Sequence, residues 1–345
     1  MYELIKELTE MSGPIGQEHA VVDRMEALWQ AGGARTERTG INNLLAHVGG
    51  KGPRLLLAAH ADELSYLVRA IDAEGFLWLA NGQGWNRTTS MRNAFTIGQR
   101  VRVLADSGEL PGIIATTTGH LASQALPEPA ELDWDDFWVD TGLSRDELLA
   151  AGVRPGTRVI WHAETTRFGA HVVGKALDDR VLLAVLTELQ SRLDVEKLQY
   201  ELILGCTVQE EIGLVGAEAL ALRHHFDYAI ALEIGMAGDI PGVAEKAMPL
   251  TLGRGPVLVH KDARVHYDYL LGRKLMAAAE EAGIALQHAV FGSFGSDGAA
   301  FQRSDIPAAL IAFPCRYTHT PFETGHMSDI EQMVDWLEAF VYRAP

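Results

Sequence analysis

Positive charge is what this sequence has least of. Lys and Arg number 29 against 46 Asp and Glu, which leaves a formal net charge of −17 over 345 residues. Binding to a nucleic-acid backbone relies on clustered Lys and Arg to neutralise phosphates, so nucleic acid is excluded as a partner. Long apolar runs are also missing, and none approaches the length that spans a bilayer. The opening MYELIKELTEMSG carries acidic residues and lacks the uninterrupted apolar core of a signal peptide. A cytoplasmic protein with no membrane partner is therefore expected. Cysteine is scarce. Cys206 and Cys315 both lie in apolar, strand-like runs, which points to buried reduced thiols rather than a disulfide or metal ligands.

What is present is a globular composition, 48% hydrophobic and 22% charged, in a chain long enough for one large domain or two. Apolar runs rich in branched residues, RLLLAAH, YELILGCTV, YAIALEI and PAALIAFP, alternate with amphipathic stretches such as DDRVLLAVLTELQSRL and RVHYDYLLGRKLMAAAEEAG. In those stretches apolar residues recur at three and four, the helical period. The alternation predicts an α/β fold, a mixed, mostly parallel sheet flanked by helices. From about Ala70 to Glu164 the rhythm changes to short strand-like pieces punctuated by Gly and Pro. Residues 70–164 thus read as a small inserted β domain, and residues 1–69 with 165–345 as the main domain. Trp78, Trp85, Trp134, Trp138 and Trp161 fall in the insertion and are expected to fill its core.

Ligand-type residues gather at the ends of the predicted strands. His60 and Asp62 follow LLLAA, Asp178 and Asp179 follow VVGKAL, Glu210 and Glu211 follow LILGCTVQ, Glu233 ends YAIAL, and His319 follows ALIAFPCRYT. In an open parallel sheet that edge is where ligands bind. Adjacent acidic pairs alone carry little information: 46 acidic residues in 345 give roughly six by chance. Five separate segments ending in oxygen or nitrogen donors carry more. Together they suit a pair of divalent metals with one carboxylate bridging. In the Glu210-Glu211 pair, one glutamate is then free to ligate while the other takes a proton from a metal-activated water and returns it to a leaving amine.

The segments SGPIGQE, HADELSYLV, GKALDDR, TVQEEIGLVGA, ALEIGMAGDIPG, FGSFGSDGAA and CRYTHTPFE occur in order and resemble the M42 family of metallo-aminopeptidases, which includes glutamyl aminopeptidases and TET peptidases. The resemblance implies that Asp178 bridges two metals, that His60 and Glu233 complete one site, and that Glu211 and His319 complete the other. It makes Glu210 the general base and Asp62 the carboxylate that orients His60. It places Ser296 and Asp297 of the Gly-rich GSFGSDG turn near the substrate. The insertion would be a PDZ-like domain serving dimerisation and access, and six dimers close into a dodecamer in several relatives.

Two departures accompany it. The family usually has Asp where this chain has Glu233, and FETGHMSD differs from the family, leaving His326 as a surface histidine.

The expected function is removal of N-terminal residues from short peptides by a homo-oligomer, with two divalent ions per chain, zinc, cobalt or manganese. A deacylase or deacetylase needs the same ligands. A glycosidase would use two carboxylates and no metal.

Overall fold

The computed structural model describes residues 1–83, 96–116 and 133–345. The chain divides into two compact units: Met1–Glu63, Thr165–Thr318 and Phe322–Pro345 form the first, Leu64–Glu164 with His319–Pro321 the second. The first unit opens with α1 (Tyr2–Glu10), α2 (His19–Ala31), β1 (Arg35–Arg38), β2 (Leu44–Gly49) and β3 (Arg54–His60). The second holds β4 (Tyr66–Ile71), β5 (Leu77–Asn81), β6 (Arg100–Ala105), β7 (Gly108–Ala115), β8 (Trp138–Asp140), α3 (Arg145–Ala150) and β9 (Arg158–Trp161). The first unit resumes with β10 (Thr166–Phe168), β11 (His171–Gly174), α4 (Leu177–Arg192), β12 (Glu201–Thr207), α5 (Val215–Arg223) and β13 (Tyr228–Met236). It ends with β14 (Val257–Lys261), α6 (Tyr269–Glu281), β15 (Gln287–Val290), α7 (Asp297–Arg303), β16 (Ala308–Arg316), β17 (Glu323–His326) and α8 (Met327–Val341).

The large sheet runs β1-β2-β12-β3-β13-β16-β17-β11-β10, with β14 on β16 and β15 on β14. It is mixed rather than mostly parallel. Parallel pairing is confined to the central β12, β3, β13 and β16 and to β14 with β15, while the flanking strands pair antiparallel. Helices cover both faces, and the period of two decides which side chain meets which layer. On β3, Leu55, Leu57 and Ala59 join the core beneath α1, α2, α4, α6 and α8, whereas Leu56 and Ala58 face α5 and α7. Both cysteines are free and buried, Cys206 and Cys315 lying on the first of these faces.

The second unit is a closed barrel, β4-β5-β8-β7-β6-β9. It begins at Leu64 rather than at residue 70, because β4 already pairs with β5 and β9. Of the tryptophans, Trp161 is buried and Trp134 packs against the barrel core. Trp78 and Trp138 do not fill it. Leu77 and Leu79 point inward on β5, so Trp78 must point out, where its ring lies 5.7 Å from that of Trp138. Trp85 lies outside the described residues. No helix among the described residues is long and apolar enough to cross a membrane.

A fully buried ion cluster ties the N-terminus of the first unit to β3 and α4. Glu63 accepts from Lys175 Nζ at 2.6 Å, from Arg180 Nη2 at 3.2 Å and from the Gly13 amide at 3.0 Å. Burial pushes the Glu63 carboxyl up, but Lys175 and Arg180 outweigh it and hold the group below its ordinary range. Arg180 also donates to the carbonyls of Leu8, Met11, Gly13 and Ala61. Gly13 has to be glycine, since a Cβ there would stand 2.5 Å from Arg180 Nη2. Glu63→Ala would strand two buried cations and should lower stability by about 3–5 kcal/mol in denaturant unfolding; a loss under about 1 kcal/mol would mean that the cluster tolerates uncompensated charge.

Candidate metal centre

Thr207 pairs with His60 in the parallel register of β12 and β3, so the residues just beyond both strands emerge at one edge. β3 leads into His60 and Asp62, β12 into Glu210 and Glu211, β13 carries Glu233, and the first turn of α4 supplies Asp178 and Asp179, joined by a cis peptide bond. All are buried except Glu211, which is half-buried.

His60 sits in the middle. Its Nε2 lies 3.0 Å from Asp178 Oδ1 and 3.9 Å from Glu233 Oε1. Its Nδ1 is 3.5 Å from Asp62 Oδ1 and makes no hydrogen bond, while its backbone amide donates to Asp179 Oδ2 at 3.0 Å. The Asp62 carboxylate instead accepts the Glu210 and Glu211 amides, each at 3.0 Å. Its clearest contacts are thus with the loop that carries the glutamate pair. Glu323 on β17 accepts the Asp178 amide at 3.1 Å.

Burial pushes the carboxyls of Asp179, Glu210, Glu211 and Glu233 well above the ordinary range, and their mutual repulsion adds to it. For His60, burial acts downward, but Asp178 and Asp62 outweigh it and raise the imidazole well above its usual value. Asp297, which accepts the Thr207 hydroxyl at 2.5 Å, is pushed up by burial to about 6.

This donor set fits divalent cations. Two groups, His60 with Asp178 and Glu211, and His60 with Asp179 and Glu233, each offer one donor atom per residue within 4.8 Å of one another. The Asp179 Oδ1 atom, buried without a hydrogen-bond partner, is what a ligand shell leaves when its cation is not counted.

His319, half-buried at φ 62°, is carried by the second unit. Ser296 caps α7, accepting the Gly298 amide and sharing a hydrogen bond with the Tyr267 hydroxyl at 2.9 Å. His326 is not a surface histidine. Half-buried at the start of α8, it caps that helix through Ser328 and its ring meets His171 edge-on. Sequence reasoning set Asp179 among the ligand-type residues but gave it no role, and gave none to Glu323, the last residue of CRYTHTPFE.

The sequence pattern of the M42 glutamyl aminopeptidase family matches residues 42–336, and the chain belongs to that family, whose members hydrolyse peptide bonds. It is 29% identical to the lysyl aminopeptidase of Pyrococcus furiosus over 99% of this chain and 96% of that one. An aminopeptidase from the archaeon Desulfurococcus kamchatkensis has the same fold, with TM-score 0.91 at 27% identity, covering 99% of this chain and 94% of the other. So does the TET1 peptidase of Pyrococcus horikoshii, which can assemble into a tetrahedron or a large octahedral shell: TM-score 0.87, 28% identity, covering 99% and 98%.

All the raised groups act in one direction with pH. A carboxyl or imidazole whose folded pKa exceeds its unfolded value stabilises at low pH, and that stabilisation is lost as pH rises from the unfolded value through the folded one. The metal-stripped protein should therefore melt at lower temperature at about pH 8 than at about pH 5.5, with divalent cations reversing the loss. A melting temperature that climbs over this range would contradict the crowding of charge.

Proposed function

We propose that this chain is a metal-dependent aminopeptidase that removes N-terminal residues from peptides, using two divalent ions held at the end of the parallel strands. The observation that carries the reading is the crowd of buried carboxyls around one imidazole, which needs positive charge to stay ionised. Asp178, closest to His60, is the bridging ligand in this reading. Glu233 would complete one site with His60, with Asp179 as a further donor, and Glu211 would belong to the other. Metals bound there supply Lewis-acid polarisation of the scissile carbonyl and of the attacking water.

The chain's own residues do the rest. Glu210 takes the water's proton and returns it to the departing amine, from a carboxyl that burial raises above the ordinary carboxylate range. Asp62 holds the Glu210 and Glu211 amides, so that both side chains keep their direction as the proton moves. The negative surroundings suit the protonated α-amine of a peptide N-terminus.

Assembly belongs to the same reading. What supports a homo-oligomer is the similarity over nearly its whole length to a peptidase that assembles into shells.

Glu210→Gln should keep metal content and cut turnover of aminoacyl chromogenic substrates by roughly a hundredfold to ten-thousandfold, whereas Glu211→Gln should lose metal. The reverse pattern would exchange the two roles, and wild-type turnover in both would remove them. Light scattering on the intact protein at micromolar concentration should give a multiple of the chain mass, and a monomer would end the assembly proposal.

A further inference from the structure

Glu323 is the last residue of CRYTHTPFE and has no part in the chemistry proposed above. It is 2% exposed. On β17 the antiparallel register sets it opposite Gly174, the last residue of β11, and the chain leaves β11 there to enter α4 at Leu177.

That entry lacks a capping side chain. The first amides of a helix have no partner inside it, and a Ser, Thr, Asp or Asn at the N-cap ordinarily accepts one of them. Here the N-cap is Ala176, which carries no acceptor and stands in the left-handed region at φ 51°. Asp178, at φ −75° and ψ 104°, is not yet helical. Its amide donates to Glu323 Oε2 at 3.1 Å, so a side chain from another strand does what the N-cap residue cannot. The next residue is tied as well, Asp179 Oδ2 accepting the His60 amide at 3.0 Å. Asn43 and Glu18 also take backbone amides, those of Val208 at 3.1 Å and Gly16 at 2.6 Å, but neither amide belongs to a ligand-type residue. The amide that Glu323 holds does. An N-cap contributes about 1 kcal/mol, which is little against the cost of burying one more acidic side chain beside Asp178.

We propose that Glu323 is a positioning residue for Asp178, its hydrogen bond fixing the Leu177–Asp178 peptide and thereby aiming the Asp178 carboxylate at the metal position beside His60. The inference rests on the reading of Asp178 as a metal ligand. The reach of an acceptor oxygen is what counts, not its charge. Without that oxygen the peptide turns, the left-handed Ala176 relaxes, and Asp178 Oδ1 leaves its place 3.0 Å from His60 Nε2.

Three variants separate reach from charge, read out as zinc affinity in competition with a chromophoric chelator. Glu323→Gln keeps the acceptor at full length, Glu323→Asp keeps the charge but withdraws the oxygens by one methylene, and Glu323→Ala removes both. Glu323→Asp and Glu323→Ala should weaken zinc binding by roughly tenfold to a hundredfold, with Glu323→Gln within about threefold of the parent. A control variant, Asp268→Ala, removes the side chain that caps α6 by accepting the Leu271 amide at 2.7 Å, and should cost stability while leaving zinc affinity unchanged. In the metal-stripped protein, amide exchange of the peptide covering residues 175–180 should quicken in Glu323→Asp and Glu323→Ala but not in Glu323→Gln. If the parent binds no zinc, the metal reading fails, and the exchange data still decide whether Glu323 holds the peptide. An intact Glu323→Asp beside an impaired Glu323→Gln would overturn the inference, as would parental affinity in all three variants or an equal loss in Asp268→Ala. Should Glu323→Ala not fold, the other two variants suffice.

Discussion

Buried negative charge is the constraint around which the first unit is arranged. Asp178, Asp179, Glu210 and Glu233 are buried within reach of one histidine, and none of them can ionise cheaply without a cation nearby. That crowding is unfavourable for folding and is useful only if something positive binds. The parallel register of β12, β3 and β13 creates it, by bringing three strand ends to one edge. The cores on both faces of the sheet hold those strands rigid enough to sustain it.

The cationic side chains nearest this edge in sequence are committed elsewhere. Lys175 and Arg180 flank Asp178 and Asp179 along the chain, yet both side chains bind Glu63 and backbone carbonyls of the N-terminal segment. They anchor the start of α4 without neutralising the acidic cluster. Fully buried and hydrogen-bonded on several sides, they fix where the α4 donors stand relative to His60. Separating anchoring cations from donor carboxylates leaves the position beside His60 open to a metal.

Much of this was legible in the sequence, for physical reasons that also mark where legibility ends. RLLLAAH and YELILGCTV end abruptly on polar residues, so a run of buried strand followed by His60 or Glu210 advertises both the element and its exposed end. β3 covers Arg54–His60, as the first of those runs indicates. Side chains that act through backbone amides carry no such sign. Glu18, Asn43 and Glu323 bind peptide N–H groups, and neither spacing nor periodicity reveals which amides a fold leaves without partners. Strand alternation in the insertion was too short to read, which is why Trp78 and Trp138 were assigned to a core that Leu77 and Leu79 fill. The closure of six short strands into a barrel depends on pairings between distant segments, such as β4 with β9, and leaves no local pattern.

The most direct measurement is calorimetric titration of the metal-stripped protein with zinc, cobalt and manganese in turn, followed by peptide hydrolysis at each stage. The charge crowding around His60 predicts about two ions bound per chain, sharply weaker binding in Asp178→Ala, and hydrolysis that appears only as the sites fill. Protein that binds no divalent ion, or that still hydrolyses peptides after exhaustive chelation, would contradict it.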